Sequence, residues 1–136
     1  MNRTLKTMLM MFVVLLFIGT SSFAIAESLK PSAADYYTNL DKKIYSDFNN
    51  ADVNVKEYVQ IKDLESVAGK LDLTEKGRYQ RTFREFARKN SKKSDQYVYV
   101  FISMKDEGSS KHSKYTIIDS ETNKVLVEGN GWSAAK

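Results

Sequence analysis

The chain has no cysteine, one histidine (His112), one proline (Pro31) and one tryptophan (Trp132) among 136 residues. Without cysteine there can be no disulfide, no thiol catalysis and no cysteine-based metal site. With a single histidine an ordinary zinc site is excluded too. A lipid-modified cysteine at a processed N-terminus is ruled out on the same ground. Six glycines and one proline are too few for a low-complexity chain and favour regular structure. No internal repeat is present. Gly129-Asn-Gly131 follows a strand but opens no helix, so it is not a dinucleotide fingerprint, and no cofactor is expected.

What the chain does have begins at its N-terminus. Arg3 and Lys6, with no acid nearby, precede an unbroken run of eleven apolar residues from Met8 to Ile18. Gly19, Thr20, Ser21 and Ser22 follow, and the segment ends in Ala24-Ile-Ala26. This is the charge, apolar core and small-residue order of a secretory signal peptide, with cleavage expected after Ala26. Eleven apolar residues fall short of the roughly 20 a spanning helix needs. Residues 1–26 are thus read as a cleaved signal and 27–136 as one exported domain, secreted or periplasmic. Loss of Arg3 and Lys6 leaves 19 Lys and Arg against 17 Asp and Glu, so the mature net charge of +2 gives little support to an anionic partner. Nucleic acid is a poor candidate for such a chain.

Residues 27–32 read as a tether. Tyr37, Leu40, Ile44 and Phe48 recur at three and four, which predicts an amphipathic helix of about four turns ending near Asn49-Asn50. Residues 53–61 alternate as a strand, 62–68 as a short helix before Gly69. A second helix runs from about Thr74 to Lys89, with Tyr79, Phe83, Phe86 and Ala87 on its apolar face. Residues 97–104 form the strongest strand, rich in β-branched and aromatic types. A polar connection over 105–113 leads to a hairpin of 115–119 and 125–128, with Asn123 suited to positive φ. Residues 129–136 read as a loose tail anchored by Trp132. The expected fold is α+β, N-terminal amphipathic helices packed on a C-terminal antiparallel sheet of three to four strands. That outline is similar to small cystatin-like and NTF2-like domains, a likeness of architecture that implies no activity.

Two surfaces stand out as candidate binding sites. Arg81, Arg84 and Arg88, with Lys92 beyond, repeat at three and four on the second helix, a row of guanidinium forks suited to carboxylate or phosphate groups of an anionic envelope surface. The same row is also what the solvated back of an amphipathic helix looks like. On the central strand Tyr97, Tyr99 and Phe101 point away from Val98, Val100, Ile102 and Met104. Tyr115 and Ile117 on the neighbouring strand extend this aromatic face in the sequence pattern, and the face is either buried, a homodimer contact or a partner groove. His112 lies in a polar stretch with no orienting partner in sequence, as expected of a surface histidine. Asp119-Ser-Glu121-Thr-Asn123 begins like a calcium loop, but Lys124 replaces the needed glycine and Asn130 the final glutamate, so a hairpin turn explains it better. No carboxylate pair is spaced for acid–base work. These residues point to a non-enzymatic exported binding or accessory protein of the envelope or medium with a protein partner. The alternatives are an inhibitor or immunity protein against an exported hydrolase or toxin, and a small-ligand carrier or weak enzyme.

Overall fold

The computed structural model describes residues 30–71 and 73–134, and the chain divides into two units, Met1–Pro31 and Ser32–Lys136. The expected signal peptide, with Ala24 and Ala26, lies outside the described residues. Among the described residues the second unit is α+β, with three α-helices and four strands. These are α1 (Ala33–Asn39), β1 (Val53–Gln60), α2 (Leu64–Ala68), α3 (Leu73–Lys89), β2 (Tyr97–Asp106), β3 (Ser110–Asp119) and β4 (Val125–Ala134). A 3-10 turn, Ile61–Asp63, leads into α2. The strands form one antiparallel sheet in the order β1-β2-β3-β4.

Strand β2 sits between β1 and β3 and is buried from Val98 to Met104, which is why both of its faces are apolar. Its Val98, Val100, Ile102 and Met104 join Val55 of β1 and Ile117 of β3 against Leu64, Val67 and Ala68 of α2 and Tyr79 and Phe83 of α3. Tyr99 and Phe101 join Ile118, Ala33 and Tyr45 in a second cluster, with Tyr36, Tyr37 and Leu40 packed on it. Helical elements therefore cover both faces: α2 and α3 one, α1 and the segment after it the other.

The first helix is two turns long, where the spacing predicted four. Ser32 caps it, its hydroxyl accepting from the Asp35 amide at 3.1 Å. It ends because Leu40 turns extended, φ −69° and ψ 134°. The Asp41 side chain then accepts the Lys43 amide at 2.9 Å, a local bond that competes with helix. Tyr45 consequently enters the core and Ile44 is left exposed, the reverse of the helical pattern.

Two more expectations are corrected. The connection over 105–113 is a tight hairpin: β2 runs to Asp106, β3 starts at Ser110, and Gly108 turns the chain at φ +78°. Asp106 stabilises that turn by accepting the Gly108 amide at 2.8 Å. No long loop remains there, and His112 stands on a strand. The expected tail is likewise the second half of β4, with Gly131 opposite Ser113 and Trp132 opposite His112. Asn123 has the expected positive φ of 57°. Asp119 accepts the Glu121 and Thr122 amides at 2.8 and 3.2 Å, which makes the calcium-like run a hairpin turn.

Candidate functional site

The face of the sheet under α1 is only half closed. An α-helix of 7 residues is about 10 Å long, whereas strands of 10 residues extend about 33 Å. The closed half lies towards the β3–β4 turn, where the Tyr36 hydroxyl donates to the Asn123 side chain at 3.1 Å. There Tyr36 stacks on Tyr99 at 4.0 Å between ring centres, and Tyr37 and Tyr45 lie 5.5 and 5.7 Å from Phe101. Tyr58 closes the outer edge by stacking on Tyr97 at 4.8 Å.

Beyond α1 a turn over 42–44 leads into an irregular segment that lies against the sheet. Its Phe48 amide donates to the Ser103 hydroxyl of β2 at 2.9 Å, and Asp47 pairs with Lys56 of β1 at 2.7 Å. Antiparallel register does the rest. Opposed residues share a face, so the pairs Lys114↔Asn130 and His112↔Trp132 and Ser103↔Lys114 all lie on the side of Phe48.

The result is a groove between segment 42–49 and strands β3 and β4. One stretch, about 340 Å³, runs past Lys42, Lys43, Tyr45, Lys114, Glu128 and Asn130. The next, about 520 Å³, runs past Phe48, His112, Lys114, Asn130 and Trp132. The two share Lys114 and Asn130 in their walls and are therefore neighbours on this face. Trp132, at 64% exposure, is the most exposed large apolar residue described. The Lys114 ammonium lies 4.3 Å from the centre of the Phe48 ring and 5.6 Å from that of Tyr45, and it has no carboxylate partner among the described residues. Burial, and then the charge of Asp47, push the Tyr45 hydroxyl far above the ordinary tyrosine range, so the wall of the groove stays neutral at this point.

At the far end of the groove His112 does have partners that the sequence did not disclose. Its Nε2 lies 3.1 Å from the Ser110 hydroxyl and 3.6 Å from Glu107. A Ser–His–acid relay needs the acid on one ring nitrogen and the hydroxyl on the other. Here both meet the same nitrogen, so the arrangement does not have that geometry. Glu107 is in turn bonded to Lys105 at 2.7 Å, and this hydrogen bond holds its carboxyl below the ordinary range. Among the described residues no three of His, Asp and Glu are grouped to hold a metal ion.

The residues singled out in sequence are distributed differently. Tyr99 and Phe101 are 1% and 0% exposed and lie beneath α1, so in this fold they present no surface to a partner or a second copy; Tyr97 is half-buried at the edge. Tyr115 and Ile117 do not extend that face. Their register, opposite Ile102 and Val100, places them on the helical side, where Tyr115 meets Tyr79 and Phe83 edge-on at 5.6 and 5.8 Å. On α3, Arg84 makes a two-point contact with Glu65 of α2, one leg at 3.1 Å, so its charge already has a partner. Arg81 and Arg88 are exposed. The residues sequence reasoning missed are Phe48, Lys114 and Asn130. A period-two reading carried past residue 128 would have paired Asn130 and Trp132 on one face.

No protein-family model matches this chain, and neither does any curated protein or solved structure. The geometry of the groove therefore bears the functional argument alone.

Proposed function

We propose that the chain is an exported, non-enzymatic binding protein, carrying residues 1–26 as its signal peptide, that holds a macromolecular partner in the groove between segment 42–49 and strands β3 and β4. The observation that carries this reading is Trp132, a large apolar plate left 64% exposed beside a lysine oriented by two rings. Exposed aromatic and cationic groups in a concavity are what interfaces use as anchors. The single-nitrogen contacts of His112 favour binding over hydrolysis. The basic row of α3 is secondary in this reading, because Arg84 is already engaged with Glu65.

Capture from the envelope and medium of the producing cell tests it. The exported chain as bait should retain a component that is lost with a folded Phe48→Ala, Trp132→Ala variant and kept with Arg81→Gln, Arg88→Gln. Loss with the arginine variant alone would move the site to α3, and equal capture by all three would refute the groove. Sequencing of the secreted protein's N-terminus should begin at Glu27.

A further inference from the structure

We propose that the occupant of the groove is an anionic glycan, one sugar ring lying on Trp132 while the anionic group of a neighbouring unit meets Lys114. This rests on the groove being the binding site, and it names the ligand class.

Three features select that class. The first is the plate itself. Trp132 is paired with no other aromatic ring among the described residues and is largely exposed, so its surface is offered to a ligand. An indole face is electronegative and suits the C–H side of a sugar ring, while the groups around it suit the hydroxyl rim. Those groups are the Asn130 amide, the His112 imidazole and the Lys114 ammonium, which together supply both donors and acceptors.

The second is charge. Lys42, Lys43 and Lys114 line the groove against one carboxylate, Glu128. Lys42 is partly engaged, donating to the Tyr37 carbonyl at 2.8 Å. Lys114 is held by Phe48 and Tyr45 without being neutralised, because a ring positions an ammonium yet leaves its charge uncompensated. An anion is the group that completes it.

The third is shape. Two neighbouring concavities that share Lys114 and Asn130 in their walls are suited to successive units of a polymer.

Trp132 is the only tryptophan, so the emission of the intact exported chain reports on the groove directly. Four probes decide the matter: hyaluronan hexasaccharide, glucosylated poly(glycerol phosphate), chitohexaose and poly-L-glutamate. Either anionic glycan should shift Trp132 emission, the first identifying carboxylate and the second phosphodiester as the source of charge. Binding should weaken with salt and by about tenfold in Lys114→Gln, a variant whose circular dichroism matches the parent. Equal binding of neutral chitohexaose would overturn the role of charge, equal binding of ring-free polyglutamate the role of the sugar, and no shift with any probe the whole assignment. If no probe binds while envelope capture still depends on Trp132, the glycan falls and the groove stands; if capture is also independent of Trp132, both fall.

Discussion

Strand β2 turns Val98, Val100, Ile102 and Met104 to one side of the sheet and Tyr99, Phe101, Ser103 and Lys105 to the other, and the two sides are covered to different extents. On the helical side α3, with 17 residues, is about 25 Å long and can follow much of a strand's length. On the other side a helix of 7 residues covers only the aromatic end, and a single irregular segment carries Phe48 over the rest. A domain of this size needs one well-sealed core for stability. With that supplied by the helical side, the opposite face can keep a concave stretch open. The predictions below test this division from its strongest consequence to its weakest.

Phe83 and Phe101 are both fully buried, one in each core. Replacement of either by Ala should cost about 3–5 kcal/mol, by lost burial and an unfilled cavity, measured by urea unfolding of the exported chain. If Phe101→Ala cost under about 1 kcal/mol, the aromatic half would be a surface and not a core. The next effect tests how tightly the helical side is filled at the far edge. A methyl at Gly129 would stand 2.5 Å from Cε1 of Tyr115, whose ring is held edge-on between Tyr79 and Phe83. Gly129→Ala should therefore cost about 1–3 kcal/mol, read as a lowered Tm.

How much of this division the sequence disclosed depends on which interactions set it. The alternation of Val98 to Met104 against Tyr97 to Phe101 is a local, period-two property, and the central strand could be read from it directly. Asn123 at positive φ was legible for the same reason. The length of α1 was not. Tyr37, Leu40, Ile44 and Phe48 fit a helical face, and what ended the helix was a side-chain bond from Asp41 together with a long-range bond from Phe48 to Ser103, neither of which a periodicity contains. The groove failed to appear for a similar reason: Lys114, Asn130 and Phe48 meet only through β3–β4 register and an irregular segment. Tyr115 was assigned to the wrong face because its face depends on the pairing of β3 with β2, which its own neighbours do not specify.

The turn between β3 and β4 sets how those two strands pair, so loosening it should affect the open side first. Burial alone would raise the Asp119 carboxyl. The bonds it accepts from the Glu121 and Thr122 amides and from Gln96, the last at 2.6 Å, outweigh this and hold it below the ordinary range. A carboxyl depressed on folding stabilises the native state above its unfolded value. That stability is lost as pH falls through the folded value, so the loss belongs below about pH 4. Asp119→Ala should cost about 1–2 kcal/mol at neutral pH and flatten the acid limb of the stability profile below about pH 4. An unchanged acid limb would assign the turn's stability to its backbone alone.

The smallest expected effect is also the sharpest test of the comparison. Trp132 stands on the same face as Phe101, yet it joins neither core: the residue is 64% exposed and its strand β4 is an edge of the sheet. An exposed side chain without specific contacts contributes within about 0.5 kcal/mol to stability. Trp132→Ala should thus leave the Tm of the exported chain within about 2 °C of the parent, while removing the anchor on which capture depends. Two aromatic residues of one sheet face would then separate cleanly, Phe101 governing stability and Trp132 governing binding. A Tm lowered as far by Trp132→Ala as by Phe101→Ala would mean that the indole seals the sheet after all, and the division between a closed and an open half would be lost.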